Sequence, residues 1–209
     1  MPHKPNFGVK PFMFRDEFEY FLYGAIAFGR GFAFEKFWEG GLSNVELSTF
    51  TRTETDHCRR QFALGWKCWM KVNELLYSGL GVKVPREIVL RIVMSQTDLL
   101  TVVALCKYQT EMWNPLYHGH QAAEKALKAY LLSKGYNDTQ LRAIGHDLKT
   151  GLEECCKLDS TFKKYIPLLP YMAWDTQWRY KPFDIPAQTV INMYDGALQL
   201  LAQSVELIL

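Results

Sequence analysis

The sequence predicts an all-α protein built around an antiparallel helical bundle, and three observations support this prediction. Apolar residues recur at helical spacing through most of the chain, and no stretch alternates between polar and apolar residues for long. Helix start and stop signals punctuate the second half of the chain. Hydrophobic residues make up 48% and charged residues 22% of the 209 residues, a balance that excludes wholesale disorder.

The N-terminal part is predicted to be an arm followed by added helices. Residues 1 to 13 carry three prolines and no acidic residue, which is typical of an irregular arm. Residues 14 to 94 are predicted as an N-terminal helical extension. Its apolar positions have helical spacing from Phe14 to Trp38, and its aromatic residues share one helix face between Thr55 and Leu80. The apolar stretch from Arg86 to Met94 fits a buried helix or a short strand, and its length favours the helix.

Residues 95 to 209 are predicted to form the bundle itself. Ser95 or Thr97 is expected to cap its first helix. Asn114-Pro115 is a start signal for a long second helix, because Asn accepts a free backbone amide and Pro at the first helical position has none to leave unpaired. Gly135 is expected to close that helix.

Five further elements follow the long helix. A loop is expected from Tyr136 to Gly145, and a helix is expected to open at His146-Asp147. Ser160 is expected to cap one or two further turns. Residues 170 to 186 contain three prolines and are predicted to be irregular, and the last helix is predicted over residues 188 to 208.

The composition limits the classes of function. Lysine and arginine exceed aspartate and glutamate by 24 to 22, and a net charge of +2 does not by itself indicate a nucleic-acid-binding protein. Five cysteines without C-x-x-C spacing indicate small buried residues in a reducing compartment. Neither a signal peptide nor an apolar run of about 20 residues is found, so a cytoplasmic protein without a membrane segment is expected.

Candidate ligand-binding residues lie on the long helix and after it. His118 and His120 point about 200° apart, so a metal site on this pair is unfavourable, and His120 is expected to be a packed, hydrogen-bonded core residue. Glu124, Lys125 and Lys128 form either a cationic edge for phosphate or a solvated outer face with one i,i+4 ion pair.

Two further candidates lie beyond the long helix. His146 and Asp147 either cap a helix or help to bind an anion at its start. Arg179, beside Tyr180 and two tryptophans, suits either a nucleobase with its phosphate or the packing of this loop onto the bundle.

One long motif carries a family resemblance. The run His118-Gly-His-Gln121-Ala-Ala-Glu124-Lys125-Ala-Leu-Lys128-Ala-Tyr-Leu, followed by His146-Asp-Leu148 and by Arg179-Tyr180, resembles the HEPN family (higher eukaryotes and prokaryotes nucleotide-binding) over about residues 95 to 209. The resemblance implies a bundle of four or five helices that commonly dimerises. It also implies either a nucleotide-binding partner of a small nucleotidyltransferase or a metal-independent ribonuclease.

The ribonuclease motif of that family, an arginine followed by four to six residues and a histidine, is not found in the matching region. Arg142 and His146 are separated by only three residues, and no histidine follows Arg179. Arg52 and His57 have the required spacing but lie outside the match.

The expected function is therefore HEPN-like nucleotide or RNA binding, non-catalytic or weakly catalytic, by a homodimer or beside a nucleotidyltransferase partner. The dimer seam is expected to include the long helix or the last one, because the last helix has a wide apolar stripe and only Asp195 and Glu206 as charges. The alternatives are a toxin-type ribonuclease and a structural interaction module. No catalytic residue, metal or cofactor is assigned. The candidate ligand-binding residues are His118, Gln121, Glu124, Lys125, Lys128, His146, Arg179 and Tyr180.

Overall fold

The structure is a computed structural model that describes part of the chain. The described residues are 9–14, 17–22, 52, 64, 71–72, 84–108, 113–173 and 187–209. The chain divides into two compact units, Met1–Ala63 and Leu64–Leu209.

The first unit contains a β-hairpin where the sequence predicted an irregular arm and the start of a helix. Strand β1 (Val9–Phe14) pairs antiparallel with β2 (Glu17–Leu22), so that Val9 lies opposite Leu22 and Phe14 opposite Glu17. The helical prediction is wrong at Glu17–Leu22, where glutamate alternates with aromatic residues at the start of the segment, the period of two that is typical of a strand. The remainder of the predicted Phe14–Trp38 helix lies outside the described residues.

The second unit is helical, which confirms the predicted fold class. Its elements, in chain order, are α1 (Arg86–Tyr108), α2 (Trp113–Ser133), α3 (Asp138–Ile144), α4 (Leu148–Leu158), a 3-10 segment (Ser160–Leu168), α5 (Leu169–Met172) and α6 (Ala187–Ile208). Helix α2 is central, because α1, α4, α5 and α6 all pack against it. Among the described helices, none is both long and apolar enough to cross a membrane.

Helix α1 is one continuous helix of 23 residues, not two elements that meet near residue 95. Ser95 is fully buried inside it, and its hydroxyl donates a 2.7 Å hydrogen bond to the carbonyl oxygen of Ala122 on α2. Thr97 donates to the carbonyl oxygen of Val93, one turn earlier. The prediction that one of these residues caps a helix is therefore wrong, and the predicted boundary between residues 94 and 95 falls within α1.

Helix α2 ends at the predicted signal, but it begins at Trp113, one residue before the Asn114 that was predicted to cap it. Asn114 and Pro115 lie in its first turn. At its end Gly135 adopts a φ of +91°, the amide of Tyr136 donates to Leu131 O, and the amide of Gly135 donates to Leu132 O. This Schellman arrangement pairs carbonyl groups that the last turn leaves without helical partners. The predicted inward stripe is buried throughout: Leu116, His120, Ala123, Leu127, Tyr130 and Leu131.

The predicted loop from Tyr136 to Gly145 instead contains the short helix α3. Asn137 and Gln140 form a reciprocal capping box at its start, and Gly145 ends it with a φ of +62°. The next helix, α4, opens as predicted, because the side chain of Asp147 accepts a hydrogen bond from the amide of Lys149.

The chain after α4 continues in helical form. Asp159, not Ser160, caps the 3-10 segment by accepting from the amide of Thr161. The ring of Phe162 packs 4.7 Å from that of Tyr130, which fixes this segment against α2. Residues 169–172, partly inside the predicted irregular stretch, form α5.

The last helix, α6, lies where the sequence predicted it, and its predicted apolar stripe is buried except at Ile208. This stripe is covered by α1, α2, α5 and the 3-10 segment of the same chain. Helix α6 lies very close to α2, since a Cβ on Gly119 would come within 1.5 Å of the sulfur of Met193.

Candidate functional site

A half-exposed stripe of polar side chains runs along α2. His118, Gln121, Lys125 and Lys128 are all partly exposed, whereas the rest of the helix from Ala122 to Leu131 is buried. At 100° per residue these four positions fall within an arc of about 80°. The sequence-predicted candidates on α2 therefore lie together, and two buried carboxylates organise them.

The first group is the Asp98 cluster, which consists of Asp98, His118 and Lys125. Asp98 is buried and projects from α1 towards α2. Its Oδ1 lies 3.0 Å from Nδ1 of His118, and its Oδ2 accepts a hydrogen bond from the ammonium group of Lys125. Asp98 was missed by the sequence analysis, although a carboxylate beside Leu99 and Leu100 in an apolar helix indicates that a charged partner is needed.

The second group is the Glu124 cluster, which consists of Gln121, Glu124, Lys128 and His146. The side chain of Glu124 accepts from Lys128 at 2.7 Å through Oε1, and from Gln121 at 3.2 Å through Oε2. The same Oε2 lies 2.8 Å from Nδ1 of His146. Because Glu124 is buried, the prediction that Glu124 and Lys128 form an ion pair on an outer, solvated face is wrong about the face.

The ionisation of Glu124 is set by these contacts. Burial raises the pKa of Glu124, but the hydrogen bonds from Lys128 and His146, with the charge of Lys128, outweigh burial and place the pKa below its usual value. The carboxylate is therefore ionised at neutral pH, and it is only an acceptor of hydrogen bonds.

Three residues of α2, spaced four apart, hold the turn that precedes α4. His120 places Nε2 3.1 Å from the carbonyl oxygen of His146 and Nδ1 3.1 Å from that of Met172. Lys128 donates at 2.5 Å to the carbonyl oxygen of Gly145, and Glu124 holds the ring of His146. The turn is thus fixed to α2 by positions 120, 124 and 128, and the prediction that His120 is a packed, hydrogen-bonded residue is confirmed.

The ring of His146 remains open to solvent on its outer side. Its side chain is 68% exposed, whereas that of Glu124 is 10% exposed. Burial, the largest influence, lowers the pKa of His120 below its ordinary value, although its hydrogen bonds to Met172 and His146 act in the opposite direction. His120 is therefore a buried structural residue, and His146 is the exposed histidine of this cluster.

The lysines of the stripe carry no uncompensated charge. Lys125 pairs with Asp98 and Lys128 pairs with Glu124, so two positive charges meet two negative charges. The cationic edge for phosphate that the sequence suggested is therefore neutralised by carboxylates, one of which comes from α1.

The structure describes some of the remaining candidate residues and not others. Arg179 and Tyr180 lie outside the described residues, as does His57. Within the described ranges, no arginine forms a hydrogen bond with His118 or His146. The same part of the chain contains no group of three or more His, Cys, Asp or Glu side chains arranged to hold a metal ion.

Comparison of the chain with protein-family models, with curated proteins and with solved structures gives no significant match. The fold and the site define a helical bundle whose central helix carries two carboxylate–imidazole–lysine clusters. The geometry of these clusters is what supports a functional proposal.

Proposed function

We propose that the Asp98 and Glu124 clusters form the binding surface of a HEPN-like nucleotide- or RNA-binding protein that is non-catalytic or weakly catalytic. One observation carries the proposal: two partly exposed imidazole rings, His118 and His146, are each held at Nδ1 by a buried carboxylate along one polar stripe. Preorganised polar groups beside a packed core are typical of ligand sites. The resemblance of this same stripe to the HEPN motif agrees with the proposal.

Arg179 is proposed to supply the phosphate contact, with Tyr180 beside it. A guanidinium group is permanently charged and matches the geometry of a phosphate, whereas Lys125 and Lys128 are already paired. Arg179→Ala is therefore expected to cost about 1.5–3 kcal/mol of binding free energy, or roughly ten- to a hundredfold in affinity.

The proposal is tested by titration calorimetry with a panel of nucleotides and a short RNA. His146→Ala and Arg179→Ala should weaken binding, and Lys149→Ala, an exposed lysine of α4, is the matched control that should not. Failure of the wild-type protein to bind any of these probes would refute the proposal and favour an interaction module.

A homodimer and a cytoplasmic location belong to the same proposal, and α1 offers the surface for the dimer. Leu90, Met94 and Leu100 are 49%, 50% and 40% exposed on α1. Thr97 and Thr101, on the same helix, donate their hydroxyls to the carbonyl oxygens of Val93 and Thr97. The sequence predicted the dimer seam on α2 or α6, and the apolar stripe of α6 is covered within the chain.

The dimer is tested by light scattering at micromolar concentration. Met94→Glu should produce monomers, whereas Lys149→Glu, on exposed α4, should not. A monomeric wild-type protein would refute this part of the proposal. A nucleotidyltransferase partner is proposed from the resemblance alone, and co-purification of the protein with such an enzyme from its own cells tests it.

A further inference from the structure

We propose that His118 and His146 bind their ligand as hydrogen-bond acceptors, so that the site takes ribose hydroxyl groups and favours ribonucleotides or RNA over their deoxy counterparts. This inference rests on the proposed function and deepens it. It follows from the way in which each ring is held, from the charge balance of the stripe, and from the donors that a nucleotide offers.

The carboxylates determine which ring nitrogen carries the proton. Nδ1 of His118 faces Asp98 at 3.0 Å, and Nδ1 of His146 faces Glu124 at 2.8 Å. A carboxylate only accepts hydrogen bonds, so each Nδ1 must carry a proton and donate it. In a neutral imidazole the other nitrogen, Nε2, then has a free lone pair and acts as an acceptor.

These two Nε2 atoms are acceptors that the clusters leave open to a ligand. Among the residues that the structure describes, neither Nε2 has a hydrogen-bond partner. The lysine charges are already paired, Lys125 with Asp98, and Lys128 with Glu124 and the carbonyl oxygen of Gly145. A ligand that binds without disrupting the clusters therefore meets two imidazole acceptors.

Two hydrogen-bond acceptors favour a ligand that offers hydrogen-bond donors. A phosphate oxygen facing a neutral Nε2 would place two lone pairs together, and the balanced lysines supply no excess positive charge to offset that contact. A ribose offers hydroxyl donors, and the 2′-hydroxyl is the group that distinguishes RNA from DNA. An exocyclic amino group of a base is the other donor of a nucleotide, and the test must separate the two.

The test compares uridine oligonucleotides with 2′-deoxyuridine oligonucleotides of the same length by fluorescence anisotropy at pH 8. Uracil has no exocyclic amino group, so the comparison isolates the 2′-hydroxyl. Lost hydrogen bonds at two acceptors predict that the full-length protein binds the ribose form roughly ten times more tightly. His118→Ala and His146→Ala should each reduce this ratio, the double variant should bring it close to one, and Lys149→Ala should leave it unchanged.

Each outcome decides the matter. Equal binding of the two oligonucleotides overturns the inference but leaves the proposed function standing. Equal binding of ribose and deoxyribose forms, with preference for adenine or cytosine over uracil, assigns the acceptors to base amino groups and also overturns it. Binding of neither oligonucleotide, nor of mononucleotides, refutes the proposed function itself. Circular dichroism of each variant checks that the bundle is folded, and a retained ratio in a folded double variant overturns the inference as well.

Discussion

Replacing Glu124 by Gln should destabilise the bundle, because it leaves the ammonium group of Lys128 nearly buried without a counter-charge. The two side chains are 12% and 10% exposed, and their charged atoms lie 2.7 Å apart. Removing one partner of a buried ion pair costs about 3–5 kcal/mol. Lys128 keeps its bond to Gly145, and the amide oxygen of the new side chain still accepts, so the lower end, about 3 kcal/mol, is expected.

The loss should be visible in both chemical and thermal unfolding. At about 2–4 °C per kcal/mol for a chain of this length, 3 kcal/mol corresponds to a decrease in Tm of roughly 6–12 °C. Glu153→Gln, an exposed glutamate on α4, is the matched control and should change stability by less than about 0.5 kcal/mol.

A double variant separates the cost of the unpaired charge from the cost of lost packing. Glu124→Gln with Lys128→Met removes both charges, so it should be more stable than Glu124→Gln alone. A loss below about 1 kcal/mol in the single variant would refute the reasoning. So would a double variant whose loss equals the sum of the two single losses, because that result would mean that the two groups do not interact.

Two further predictions concern α2. Gly119→Ala should lower the free energy of unfolding in urea by about 1–3 kcal/mol, because the new Cβ would overlap the buried side chain of Met193. Gly135→Ala is the comparison: its Cβ would meet no neighbouring atom, so only the strain of a positive φ is expected. Stability should fall as the pH drops below about 6.5, because the pKa of His120 is lower in the folded than in the unfolded protein and unfolding takes up a proton. His120→Gln should flatten this slope between pH 7.5 and 5.5, and an unchanged slope would contradict the assignment.

The sequence predicted several helix ends that are determined by contacts between neighbouring residues. Asn114-Pro115 and Gly135 act within one turn of α2, and Asp147 caps α4 through an amide two residues away. Such contacts depend on neighbouring residues only, and they can be read from the sequence. The wide apolar stripe of α6 was predicted for the same reason, since periodicity is a local property.

The errors occurred where a distant partner decides the role of a residue. Ser95 has the chemistry of a helix cap, but its hydroxyl is used by the carbonyl of Ala122, 27 residues away, and α1 runs through it. Propensity and pattern cannot decide such a position, because tertiary contacts override them. The error at α3 has a different cause: the capping box of Asn137 and Gln140 is local, but α3 has only seven residues, too few for periodicity to show a helix.

The candidate site was also predicted in part: local features were found, and features that depend on distant residues were not. The sequence located the stripe of α2 and His146, yet it placed Glu124 on an outer face and did not include Asp98. The burial of Glu124 depends on the turn before α4 folding back onto α2, which positions 120, 124 and 128 bring about together. Helical spacing showed that these three residues share a face, but it did not show what covers that face.

The pairing of the lysines also determines how ligand-binding data on this surface must be interpreted. Local counting along α2 gives an excess of lysine, whereas the folded stripe is neutral because Asp98 comes from α1. Lys125→Ala would therefore leave Asp98 without its cation and make the surface negative. A resulting loss of affinity for an anionic ligand would reflect repulsion as well as any lost contact. Only Lys125→Ala combined with Asp98→Asn removes the side chain at constant net charge. That pair of substitutions, and not the single one, is what distinguishes a lysine that touches the ligand from a lysine that neutralises a buried acid.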